Sequence, residues 1–356
     1  MSSDPVVRMA LWSGLGAVVL TLLLILQIVT LRVLYRRYEH RRKAFMVKWG
    51  GLLTESSLGQ STPVRLPALA AGEVVYFLAY WNHQYNSLND EARKQLNSLA
   101  RTIDIEQAVR RMLRQGNNAE KLLATIGIGF FGTKKDIPAL TKLLESERPV
   151  DCLHAASAML RIDAGTLSEV LPIIARRSDI PTAGIAIALK EAGPESVSPV
   201  LADMLERVLH PKPRQRIRRR DVVRLIMLAV TAQPSIVNPY LREIMKKTED
   251  EEVIAACLKV MRDPLDLGRI REYVSHPNWS VRVQAASALG DMGEEKDLKL
   301  LLQLLSDAQW WVRYRAARAI SSLPFVTAEY LSGLKNTLSD SFAVDMIDHI
   351  ISERAI

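Results

Sequence analysis

Only two cysteines, Cys152 and Cys257, occur in the 356 residues, and neither their number nor their spacing makes a disulfide framework or a metal site. Both fall in alanine-rich helical segments, where a thiol serves as a small core residue rather than a nucleophile, and they agree with a reducing compartment. Catalytic motifs are lacking as well: there is no nucleophile elbow, no phosphate-binding glycine loop and no metal-spaced His/Cys set. The six histidines, His40, His83, His154, His210, His276 and His349, are dispersed. His154 stands beside Ala155 in a helical segment, but one histidine without a placed partner makes no acid–base pair. These absences point away from an enzyme and imply no cofactor.

Charge is missing from Ala10 to Leu31. At 1.5 Å per residue that stretch spans about 33 Å, enough for a bilayer core of about 30 Å. A cleaved signal peptide would have an apolar run of only about 7 to 15 residues and a small-residue cleavage site. This run ends instead in Leu31-Arg32-Val33-Leu34-Tyr35-Arg36-Arg37, so an uncleaved transmembrane helix is expected. Arg8 alone precedes it, whereas Arg32, Arg36, Arg37, Arg41, Arg42, Lys43 and Lys48 follow. The positive-inside rule places the N-terminus outside and everything after the span in the cytoplasm, as a single-pass protein of a bacterial-type inner membrane.

Beyond the span the chain is periodic. Val281, Arg282, Ala285, Ala286, Ala288 and Leu289, followed by Gly290, return 31 positions later as Val312, Arg313, Ala316, Ala317, Ala319 and Ile320, followed by Ser321. Comparable segments start at Ala119, Val150, Ile180, Val222, Val253, Val281, Val312 and Val344, with spacings of 31, 30, 42, 31, 28, 31 and 32. A unit that short is one helical hairpin, unable to bury its own apolar face, so it stacks on its neighbours. The alanines keep an inner helix thin enough for close approach. Each inner helix follows an outer amphipathic run such as Ile137, Leu140, Leu143, Leu144 or Leu298, Leu301, Leu302, Leu305. Pro138, Pro199 and Pro239 fall near the starts of such runs, where a missing N–H is tolerated, and Pro172 slightly further in.

The segment Asn278-Trp279-Ser280-Val281-Arg282-Val283-Gln284-Ala285-Ala286-Ser287-Ala288-Leu289-Gly290 resembles the inner helix of a HEAT repeat, of the bacterial subtype also found in phycobilisome lyases. The resemblance implies an all-α fold, an α-solenoid of stacked helical hairpins with a concave surface that holds a partner, and no particular chemistry. Arg follows the repeat valine only at Arg282 and Arg313, so no continuous arginine ladder is expected. The expected organisation is a short tail over 1–9, a single transmembrane helix over 10–31 and a basic juxtamembrane segment over 32–49. A flexible linker over 50–72 follows, with a reach of about 25 Å. An N-terminal helical cap over 73–102, with Val74, Phe77, Leu78 and Trp81 on one face, precedes the solenoid over 103–356.

Net charge is +8, but the juxtamembrane segment and the stretch Pro211 to Arg220 each contribute +6, which leaves −4 for the rest. The solenoid is therefore no general nucleic-acid clamp. The second cluster, Lys212, Arg214, Arg216, Arg218, Arg219 and Arg220, occupies the one long step as a basic insertion at 211–220. It reads either as a solvated loop or as a contact for anionic lipid or an acidic partner; nucleic acid comes last, because no aromatic residue is interleaved to stack bases. Trp279, Arg282, Trp310, Trp311 and Arg313 are the candidate contacts on the repeat surface, the tryptophans being expected in inter-helix turns. The reading that joins these features is a membrane-tethered cytoplasmic scaffold for a protein partner. Its alternatives are an accessory subunit of a membrane-bound envelope or polysaccharide synthesis system, whose partner is a membrane enzyme, and a lyase-type or nucleic-acid-binding repeat protein.

Overall fold

The computed structural model describes residues 5–58, 66–211 and 217–354. Among these residues the chain is helical throughout, with no strand, and divides into two compact units, Met1–Gly132 and Thr133–Ile356. The division falls about thirty residues after position 103, where the solenoid was expected to begin, because the helices up to Phe131 share one aromatic core.

The N-terminal unit contains α1 (Pro5–Ser57), α2 (Val74–Gln84), α3 (Asp90–Thr102), α4 (Ile105–Gln115) and α5 (Asn118–Phe131). Helix α1 has two halves. From Trp12 through Leu34 its apolar side chains are exposed, and this is the one described helix long and apolar enough to cross a membrane. Further on, Phe45, Trp49 and Leu53 recur every four residues and are fully buried, the spacing of a helical stripe against a core. Trp49 meets Phe77 edge-on at 6.1 Å, Phe77 packs on Trp81, and Trp81 meets Phe131 at 5.9 Å. Val74, Phe77, Leu78 and Trp81 are buried together. Helix α1 continues through Gly50–Ser57, the first eight positions of the stretch expected to be a linker. Burial of Leu53 and a 3.0 Å ion pair between Lys48 and Glu73 hold that stretch against the unit; positions 59–65 lie outside the described residues.

The C-terminal unit is an α-solenoid. Its outer helices are α6 (Ile137–Leu144), α8 (Leu167–Arg176), α10 (Pro194–Leu209), α12 (Pro234–Lys247), α14 (Leu267–Glu272), α16 (Leu298–Leu304) and α18 (Ala328–Lys335). They alternate with the inner helices α7 (Pro149–Ile162), α9 (Thr182–Ala192), α11 (Arg219–Leu228), α13 (Glu251–Val260), α15 (Trp279–Met292), α17 (Trp310–Ser322) and α19 (Ser341–Arg354). Two buried positions, one less buried and two buried again mark an inner helix, as at Ala285, Ala286, Ala288 and Leu289. The same pattern recurs at Ala155, Ala156, Ala158, Met159, at Leu225, Ile226, Leu228, Ala229, and at Ala316, Ala317, Ala319, Ile320. In α11 it sits one residue earlier than a start at Val222 implies, and the step from the buried Ile185 of α9 to Leu225 is 40.

Two outer helices begin a turn earlier than their internal prolines suggested. Pro194 and Pro234 take the first helical position, and Pro199 and Pro239 lie inside α10 and α12. The residue before each internal proline is buried and ties one repeat to the next. Ser198 Oγ accepts a hydrogen bond from the Gln233 N–H at 2.8 Å, and Asn238 Nδ2 donates to Asp266 at 2.8 Å.

Candidate protein-binding surface

Two rows of polar side chains hold the solenoid's layers in register. On the outer row, Arg242 bonds the buried Asp266 one repeat on, and Arg271 grips Asp297 through Nε at 2.5 Å and Nη2 at 2.9 Å. Asp297 is fully buried; burial pushes its carboxyl up, but the Arg271 pair and the Glu294 backbone N–H outweigh this and hold it below the usual carboxylate range. The recurrence of Asp266 and Asp297 at a spacing of 31 is the sequence signal for this row, fainter than the alanine pattern.

On the inner row, arginines bind the backbone carbonyls of the turns that precede inner helices. Arg282 donates to the His276 and Pro277 carbonyls, both at 2.8 Å, and forms a two-point bond with Asp307 of the next turn at 2.7 and 2.8 Å. The burial of Asp307 opposes its ionisation, yet Arg282 and the Gln309 N–H keep its carboxyl below the ordinary range. Arg313 repeats the arrangement on the Asp307 and Ala308 carbonyls, with its guanidinium 5.0 Å above the Phe342 ring. A ladder therefore extends beyond the two repeats where Arg follows the repeat valine. Arg177 reaches the Ser146 and Glu147 carbonyls, and Arg224 those of Ala175, Arg177 and Ile180, from other sequence positions. Geometry recruits whichever arginine can reach a turn, which a fixed sequence offset cannot anticipate. Of the two candidate partner contacts, Arg282 turns Nε, Nη1 and Nη2 to the fold, whereas Arg313 turns only Nη1 to turn carbonyls.

The three tryptophans are elsewhere than expected: Trp279 opens α15, and Trp310 and Trp311 open α17, rather than lying in turns. Asn278 caps α15 by accepting from the Ser280 N–H, which starts that helix just before the tryptophan. Trp310 stacks on Tyr314 at 5.2 Å and meets Trp311 edge-on at 4.7 Å. Trp279, Trp310 and Trp311 keep 42%, 41% and 57% of their surface exposed, so the fold leaves large apolar area at this edge.

The basic insertion is only partly described, since Lys212, Arg214 and Arg216 lie outside the described residues. Arg218 precedes the first turn of α11, Arg219 pairs with Glu252 at 3.0 Å and Asp250 at 3.7 Å, and Arg220 lies 3.6 Å from Asp221. Arg219 also lines an open cleft with Glu251, Asn278 and Ser280, the last two flanking Trp279. Neither cysteine is poised for chemistry: burial raises the Cys152 thiol and pushes Cys257 up to about 12. Burial, with Arg161 adding to it, lowers the pKa of His154 and keeps the ring neutral at pH 7.

No curated protein matches the chain in sequence. Residues 238–321 and 267–341 match the family model for HEAT repeats, so the stretch from α12 to α18 is similar to that family in sequence as well as in its stacked hairpins.

Proposed function

We propose that the protein is a membrane-tethered scaffold whose helical-repeat unit holds a protein partner at the inner face of a membrane. The observation that carries this reading is α1. Its first half exposes an apolar surface that water would not tolerate, and its second half buries Phe45, Trp49 and Leu53 in the N-terminal unit. One uninterrupted helix thus joins the span to folded protein. Seven basic residues beyond the span against one before it support an external N-terminus and cytoplasmic repeats. Tethering raises the partner's effective concentration without new contacts.

The repeat unit fits the role because its outer row is committed to internal bonds while the tryptophan edge and much of the inner-helix face stay available. A reporter active only outside the cytoplasm, fused after Ile356, stays silent if the orientation is right; a strong signal overturns it. In-cell crosslinking of the full chain, followed by identification of the captured protein, tests the scaffold role. Recovery of a membrane enzyme of envelope or polysaccharide synthesis would identify the narrower version, an accessory subunit.

A further inference from the structure

Between α15 and α17 lies a cleft of about 250 Å³ lined by Ser287, Gly290, Asp291, Arg315, Arg318 and Ser322. Its floor exists because the two helices cross at Gly290, where an added Cβ would stand 2.6 Å from the Ala319 Cα. Asp291 is already neutralised by Arg262 at 2.6 Å. Arg318 reaches only the Tyr314 hydroxyl, at 3.4 Å, and the Nε of Arg315 is shielded from solvent with no partner among the described residues. A shielded guanidinium N–H without an acceptor is costly, and two arginines lining one polar cleft with no ion-pair partner among the described residues favour an oxyanion.

We propose that this cleft binds the acidic group of an extended protein segment, either a carboxylate or a phosphoryl group, with a neighbouring apolar side chain on Trp311. Trp311, Arg315 and Arg318 stand at i, i+4 and i+7, one face of α17, and four residues of helix rise about 6 Å. Alternate side chains of an extended strand are separated by about the same distance, so an acidic residue and an apolar one two positions away meet Arg315 and Trp311 together. Two positive charges in a pocket suit one acidic group; a nucleic-acid strand needs a track of them. The inference rests on the scaffold reading and specifies the chemistry of the partner.

The test uses the full chain in detergent micelles and fluorescence anisotropy of a labelled Leu-Ser-Glu repeat peptide, with Gln and phosphoserine counterparts. Binding of the Glu or the phosphoserine peptide, weakened roughly tenfold to a hundredfold in the Arg315→Gln/Arg318→Gln variant, is expected. The tighter of the two peptides identifies carboxylate or phosphoryl as the bound group. Ser287→Glu, which supplies an internal acid to the same arginines, should block binding with the arginines in place and keeps the test valid if the arginine variant misfolds. Arg176→Gln/Lys299→Gln, with the same loss of charge on outer helices, should bind as the native chain does. Equal binding of the Gln peptide, equal weakening by the outer-helix control, or loss of a single-stranded oligonucleotide in place of the peptides would overturn the proposal. A crosslinked partner retained in full by the Arg315/Arg318 variant would sink this inference and leave the scaffold reading standing.

Discussion

Replacing Gly290 by Ala should destabilise the solenoid, although alanine is the better helix former. In isolation the change favours the helix by about 1 kcal/mol. At this position the new methyl meets Ala319 Cα at 2.6 Å, its Cβ at 2.7 Å and its carbonyl oxygen at 3.3 Å. Carbon atoms rest about 3.5 Å apart, so α15 and α17 must separate by roughly 1 Å, and the nearest obstacle is backbone that no rotamer change can move aside. Overpacking of this kind costs about 1 to 3 kcal/mol, and a backbone collision belongs at the upper end, which leaves a net loss of about 2 kcal/mol. The comparison is Gly333→Ala in α18, where nothing lies within 4 Å of the added methyl and a gain of roughly 0.5 to 1 kcal/mol is expected. Native-state hydrogen exchange suits a repeat array better than one global melt, because neighbouring repeats open partly independently. Faster exchange confined to α15, α17 and their neighbours is the expected result. Native protection in the Gly290 variant, with stabilisation in the Gly333 variant, would refute the close crossing and the cleft built on it.

Removing the buried acid of the outer row, as in Asp297→Ala, leaves Arg271 without its main partner. A loss of about 3 kcal/mol is expected in denaturant titrations, the low end for a broken buried pair because Arg271 is partly solvated. Asp297 and Asp307 both have folded pKa values depressed below the unfolded value of about 3.9, so their stabilisation is complete above that value and is lost as pH falls through the lower folded values. Melting at pH 7 and pH 3 should show a smaller acid-induced loss in Asp297→Asn, and an unchanged loss would contradict the assignment. Arg282→Gln should cost about 2 kcal/mol by freeing two turn carbonyls and the Asp307 carboxylate, whereas Arg219→Gln, whose ion pairs are exposed, should shift the melt by less than an equivalent of about 1 kcal/mol. Ala286→Phe overfills a fully buried site and should cost about 1 to 3 kcal/mol, visible as a lowered denaturant midpoint.

The amino-acid sequence by itself determined the apolar span, the period near 31 and the assignment of alanine-rich helices to the inner layer. Each of these is local: an uncharged run, a spacing and a small side chain act wherever the chain carries them. Tertiary structure decided the rest. Gly50–Ser57 reads as a linker by composition, yet Leu53 completes a stripe with Phe45 and Trp49, and burial of that stripe carries α1 through two glycines. Pro199 and Pro239 suggested helix starts, but Pro194 and Pro234 were available one turn earlier and the packed helices absorbed the internal prolines. Sequence cannot tell a guanidinium aimed at solvent from one aimed at a turn, and only the structure shows Arg282 bonded to the His276 and Pro277 carbonyls and to Asp307. Arg315 and Arg318 carried no sequence signal at all. What distinguishes them is the approach of two helices at Gly290 and Ala319, which forms the cleft, and the engagement of the cleft's Asp291 by Arg262; both depend on residues far apart in the chain meeting in space.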